Sequence, residues 1–328
     1  MLDSQPLADD HSLTFSGRRA KLFGRDGQSY GTFVSGLRPR YWMVYRDIGL
    51  GYLFLASSYG LIVAAPGWGA PRLAVGILGA IPIGYGIAYL QLFLHEGAHY
   101  NLAPTKTQND WLCNMLVAWL VGTTAAAYRP THFQHHRDLG TTTDTEFTYF
   151  FPLNGRFLIK AAFGIRALEI MLSHTTAPRP QLPAQMRASG RIALLAGAAI
   201  YAAVAAGSLL FGWWWAAMGL VFGVTMAFPF FGALRQLLEH RCDGAISTID
   251  YRKQDHGACT RIFPDDLFSR TFGGAGFNRH LLHHWEPQVS YTNLPELEAF
   301  LNETEMKSIM DRRRATYLRV FRSLFLQP

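Results

Sequence analysis

Eight of the twelve histidines in this chain fall into three short clusters: His95 with His99, then His132, His135 and His136, then His280, His283 and His284. The last two clusters share one spacing, H-x-x-H-H. In a helix, residues three or four apart lie on one face, so each cluster can aim its imidazoles at a common point. Eight imidazoles placed beside apolar helices are costly unless they are paired, protonated or ligated. Metal ligation serves all three clusters at once. A first-row ion rarely takes more than six ligands, so this many imidazoles suggests two ions. All-nitrogen sites suit iron, copper, zinc or nickel, and spacing alone does not choose among them.

The rest of the chain decides where such a site can be built. Only 16% of the 328 residues are charged, while 49% are hydrophobic, and the apolar residues come in blocks. Four blocks are long enough to cross a bilayer: 48–65, 73–94, 192–211 and 216–238. The second would be roughly 33 Å long as a helix, matching the hydrocarbon core, and its continuation carries His95 and His99. Pro66-Gly67-Trp68-Gly69 and Gly212-Trp213-Trp214-Trp215 supply the turns. The expected fold is therefore all-α and integral to the membrane, with four transmembrane helices in two hairpins and a cap that carries the histidines. Residues 111–128 are also apolar, but a fifth crossing there would put His99 and His132 on opposite sides, so a re-entrant or interfacial segment is expected.

Charge orients this arrangement. Net charge is +7, and lysine and arginine are abundant in a polar arm (1–40), in the middle segment and in a basic amphipathic tail (298–328). The short turns carry only Arg72. The positive-inside rule then puts both termini and every histidine cluster in the cytoplasm. The membrane reading of this charge leaves no expectation of nucleic acid binding, and the acidic start of the arm does not read as a signal peptide. Cys113, Cys242 and Cys259 show no paired spacing, so a disulfide framework is not expected and Cys242 reads as a packed thiol. His11 reads as solvated, and His174 and His256 have no assigned role. Residues 157–172 read as an amphipathic helix, 177–190 as a loop and 298–326 as amphipathic helix. Arg312-Arg313-Arg314 forms a basic face.

Several further residues stand where they can serve the clusters. His240, at the inner end of the last span, is a candidate ninth ligand. Gln236 lies one turn before it, and Glu239 pairs in i,i+4 spacing with Arg235. Asp144, in the polar stretch after His136, and Asn278, just before His280, can hydrogen-bond the distal nitrogens of ligand imidazoles and fix their tautomer.

The three boxes, in this order around two membrane hairpins within residues 41–297, resemble the integral-membrane fatty acid desaturase family and its related hydroxylases. Arg235-x-x-x-Glu239-His240 looks like the extra histidine site such proteins carry after the fourth span. The resemblance implies two iron ions held by histidines, O₂ as co-substrate, and removal of hydrogen from an unactivated C–H bond. It implies a membrane-lipid setting and an acyl substrate, as lipid, thioester or carrier-bound form. The chain contains neither His-Pro-Gly-Gly nor a flavin-type G-x-G-x-x-G, so electrons are expected from a separate donor such as a ferredoxin with its reductase, for which the arginine triplet is a candidate docking face. Desaturation is the expected reaction, and hydroxylation or other oxygenation of a lipid or small natural-product precursor is the alternative. A membrane metal transporter would need polar ligands within its spans, which are nearly absent here.

Overall fold

The computed structural model describes residues 8–146, 148–165, 169 and 182–326. Among these the chain is helical, with three isolated β-bridges and no strand. Four helices are long and apolar enough to cross a membrane: Tyr41–Trp68, Arg72–Ala98, Ala184–Leu210 and Trp214–His240. Three of them contain an expected block and extend beyond it, while the third, Ala184–Leu210, covers all of its block but the last residue, Phe211, and begins eight residues earlier. The first begins at Tyr41 because Arg46 and Asp47 neutralise each other at 2.7 Å and stay within the helix. The third begins at Ala184, so the expected loop over 177–190 ends earlier than its prolines suggested: Pro183 stands at the N-cap, where its missing N–H costs nothing.

The chain forms two compact units. One comprises Tyr41–Thr131 and Gly155–Leu234, and its packing is set by small residues. Gly51 lies against Leu90 and Tyr89, and Gly79 against Ile62, so that the first two spans run antiparallel in a fixed register. Gly76 faces Trp215, Gly84 faces Ala227, and Gly223 faces Ile83, which makes the second and fourth spans parallel neighbours. A Cβ on Gly84 would lie 2.4 Å from Ala227. Without a hydrophobic drive between helices in lipid, such close backbone approach supplies the packing energy. The fourth span contains one π-helical turn, Gly223–Ala227, at this contact.

Residues 111–128 do not form a continuous helix. The helix Lys106–Leu116 ends there, a 3₁₀ turn Ala118–Val121 follows, and Gly122 reverses the chain at φ +67°. The turn packs on the third span, where a Cβ on Gly197 would sit 2.3 Å from the Trp119 carbonyl, and Tyr201 donates to the Leu120 carbonyl at 3.0 Å. The expected helix over 157–172 is described only as Gly155–Ala162, with Gly164 turning at φ +68° against the Thr225 carbonyl. Residues 170–172 and His174 lie outside the described residues.

The second unit comprises Met1–Arg40, His132–Asn154 and Arg235–Pro328. Arm and tail, which differ in sequence character from the region between them, share one core here. Phe15, Leu22 and Tyr30 of the arm pack with Leu281, Leu282 and Trp285 of the third box and with Leu297, Leu301 and Met310 of the tail. Phe15 stacks on Trp285 at 4.7 Å. The tail is three short helices, Leu294–Leu301, Lys307–Arg312 and Tyr317–Phe325, rather than the single amphipathic one expected, because Thr304 and Thr316 turn the chain with their own hydroxyls. Arg314 is paired with Glu298 and Asp311, and Arg313 donates to the Asp9 carbonyl. Of the three arginines of the expected basic face, Arg312 and Arg314 are exposed and Arg313 is half-buried.

Candidate metal centre

Local sequence aims the imidazoles of the second unit. His132, His135 and His136 lie on the helix Ala125–Asp138, His240 closes the helix Phe228–His240, and His280, His283 and His284 fill the short helix His280–Trp285. Seven rings drawn from three helices separate into two groups. His135, His240, His280 and His284 each offer a nitrogen within 4.8 Å of the others, and all four are buried. His136 stands between His132 and His283, with Nε2 separations of 3.0 and 2.9 Å.

Hydrogen bonds on the far side of the rings fix the tautomers of three of them. His135 Nδ1 lies 2.8 Å from Asp144, His132 Nδ1 lies 3.3 Å from Glu146, and His240 Nδ1 lies 3.0 Å from the carbonyl of Cys259. A carboxylate or carbonyl can only accept, so each Nδ1 must carry its hydrogen. In the neutral ring Nε2 then presents a lone pair to the interior. His280 Nε2 sits 3.0 Å from His240 Nε2 and 3.2 Å from His284 Nε2, and one hydrogen on it can serve only one of these neighbours. His135 Nε2 is buried and takes no hydrogen bond. Imidazole nitrogens held by one cation at ~2.0–2.1 Å stand roughly 3 Å apart when adjacent. The donor set fits a divalent first-row metal in both chemistry and spacing.

Electrostatics agree. Burial, with the neighbouring imidazoles adding to it, holds His280, His283 and His284 well below the ordinary histidine range, so they are neutral donors. Burial also lowers His132. At His135 burial works in the same direction, but Asp144 and Glu146 outweigh it and raise the ring to about 9. Burial opposes the charge of Glu146 too, yet His135 and His132 keep its carboxyl well below the usual range. The same two carboxylates that favour a proton on His135 favour any positive charge placed among the rings.

The first unit contributes its own pair. His95 and His99, both buried, have ring centroids 5.0 Å apart at the end of the helix Arg72–Ala98. That end is tied down from two directions. Arg129 donates to the carbonyls of Ala98 at 2.8 Å and Gly97 at 3.2 Å while pairing with Asp110, and the buried Asn109 amide donates to Gly97 at 2.8 Å.

The model of the fatty acid desaturase family matches residues 71–317. The chain belongs to that family. Membership in the fatty acid desaturase family makes it an oxidoreductase of the desaturase and hydroxylase type, and it brings an expectation of iron to the donor groups just described. No curated protein matches the chain.

The supporting residues of this desaturase-family chain divide as follows. Asp144 reaches His135 directly. Gln236 acts one bond further out, donating to Glu146 at 2.9 Å and accepting from the Thr148 backbone. Glu239 turns to Arg235 at 2.6 Å. Asn278 reaches Pro264 and Asp265, so its amide braces a loop and not an imidazole. Sequence reasoning offered Glu146 only as one member of the polar stretch 137–146, and did not offer the Cys259 carbonyl or Tyr149, whose hydroxyl donates to Asp144 and accepts from the Gly140 N–H. Glu146 and Tyr149 follow His136 by ten and thirteen positions, which is the one signal available. His256 is a buried hydrogen-bonding residue, donating from Nδ1 to the Gly257 carbonyl and accepting at Nε2 from Cys242 N–H. Cys242 belongs to neither group of metal donors.

Proposed function

We propose that this chain is an O₂-dependent di-iron desaturase that introduces a double bond into an acyl chain presented as lipid, thioester or carrier-bound form. The observation that carries this reading is the convergence of His135, His240, His280 and His284 on one point with carboxylate or carbonyl acceptors behind two of the rings. We assign those four to one iron, and His132, His136 and His283 to a second. His95 and His99 are assigned to the second iron by their box spacing and by the donors that three imidazoles leave unfilled. Iron bound by neutral imidazoles would keep most of its charge and supply O₂ activation strong enough for hydrogen removal from an alkyl carbon.

The chain's own contribution is to hold these rings before metal arrives. Asp144 and Glu146 keep Nδ1 protonated, which leaves Nε2 as the donor, and Tyr149 and Gln236 keep the two carboxylates turned inward. Apolar spans hold the reaction in lipid and away from bulk water. Electrons are assigned to a separate donor such as a ferredoxin and its reductase.

The test is to purify the protein from cells grown with iron and incubate it in nanodiscs with mixed acyl substrates, O₂ and a reconstituted reductase chain. About two irons per chain and products lighter by two hydrogens are expected. Products carrying added oxygen would make it a hydroxylase. One zinc with no iron would overturn the di-iron assignment.

A further inference from the structure

The last carbonyls of an α-helix have no donor within the helix. In Phe228–His240 the Arg241 N–H closes the final turn on the Leu237 carbonyl at 2.9 Å, and the carbonyls that follow are taken by a side chain from elsewhere in the sequence. Arg261 donates through Nη1 to Leu238 at 3.0 Å and Glu239 at 3.3 Å, and through Nη2 to the Arg241 carbonyl at 2.5 Å. One guanidinium thus holds the main chain on both sides of His240. Taking a guanidinium out of water is costly, so a buried one needs a reason. Arg261 is buried, and its carboxylate partner, Asp243 at 2.9 Å, is exposed. The same residue reaches the third box through its backbone: the Arg261 carbonyl accepts from the Leu281 N–H at 3.0 Å, within the helix His280–Trp285. Two positions earlier, the Cys259 carbonyl accepts from His240 Nδ1 at 3.0 Å. Three successive residues, Cys259 to Arg261, therefore tie down the ring of His240, the end of its helix and the helix that carries His280 and His284.

We infer that Arg261 is a positioning residue of the metal centre, setting where His240 stands relative to His280 and His284 so that their nitrogens meet one cation, a role that rests on the assignment of these rings to a single ion. Its charge and its geometry contribute separately. Any cation suits the negative end of a helix. Only the planar fork of arginine, with donors on two separate nitrogens, spans the carbonyls of Leu238, Glu239 and Arg241 together. Lysine keeps the charge but gathers its three donors on one nitrogen, so it leaves the end of the helix less constrained. A displaced helix end moves His240 away from rings that Leu281 and its neighbours still hold. Arg129 makes the same kind of contact in the other unit, donating to the Gly97 and Ala98 carbonyls beside His99. Buried arginine on a histidine-bearing helix end thus occurs twice in the chain, each time from a segment distant in sequence.

The experiment uses the full-length protein in nanodiscs, stripped of metal and titrated with cobalt(II), whose visible absorption reports each nitrogen-ligated ion. The parent is expected to bind about two ions. Arg261→Lys should weaken one of them at least ~10-fold and leave the other at parental affinity. The weakened ion should be the one that His240→Ala also weakens. In the double variant the two losses should not add, because both act through one ring. Asp243→Asn, which removes only the exposed carboxylate, should leave both ions unchanged. Parental affinity in Arg261→Lys, equal weakening of both ions, or additive losses in the double variant each overturn the positioning role. Unfolding of the metal-free protein is followed on the same samples, and Arg261→Gln, which keeps an amide donor, takes the place of a lysine variant that does not fold. A parent that takes up no cobalt overturns the metal assignment and this role with it, whereas a normal parent beside an unaffected variant overturns the role of Arg261 alone.

Discussion

A histidine has two nitrogens, and what stands behind one decides what the other can do. Asp144 behind His135 is therefore as much a determinant of this centre as the ring itself. Asp144→Asn, which keeps the shape and removes the obligate acceptor, should weaken metal retention by about 10- to 100-fold in chelator competition while the protein still inserts. His256 gives the opposite case, a ring kept neutral by its surroundings. Burial, with Arg241 and Arg261 adding to it, lowers its pKa to about 4. Between pH ~6.5 and ~4 the unfolded chain therefore takes a proton that the folded chain refuses, so stability falls as pH falls, by about 3 kcal/mol across that window. Denaturant melts from pH 7 to pH 4.5 should show the decline, and His256→Gln should flatten it. The histidine groups were legible as candidate donors because helical spacing advertises them. Their partners were less so: Glu146 sits among several carboxylates and hydroxyls, and only the folding of the loop after Asp138 selects it for His132.

At the scale of elements, the spans were legible as apolar blocks, but their ends were not, since Tyr41 and Ala184 continue helices through polar residues that the blocks exclude. Residues 111–128 show the same limit from the other side: composition allowed a helix, and Gly122 with its neighbours on the third span imposed a turn. Precision at the first box comes from the contact between Gly97 and Cys113. Gly97→Ala should overpack that contact and cost about 1–3 kcal/mol in thermal or denaturant unfolding. Cys113→Ala in the same chain should recover part of the loss, because the two substitutions share one space. A simple sum of the two single effects would show that Gly97 is required for some other reason.

At the scale of the whole molecule, charge should fix sidedness. Reporters placed at residue 30, within 141–144 and at 328 are expected to read cytoplasmic, and tags within 66–72 or at 211–213 to read outside. A reporter within 141–144 that reads outside would sink the assignment of all nine histidines to one centre. The arm should matter as much as the tail: Phe15→Ala empties a position stacked on Trp285, the residue next to His284, and should cost about 3–5 kcal/mol. Iron retention should weaken with it. That pairing of Phe15 with Trp285 also sets an order in time. Phe15 has no ring to stack on until Trp285 has been made, and the group of His135, His240, His280 and His284 cannot close before His284 has been made. All four spans are complete by then. Metal binding by this group is accordingly expected to follow synthesis of the third box, and a chain that stops before His280 has at most two donors of that group.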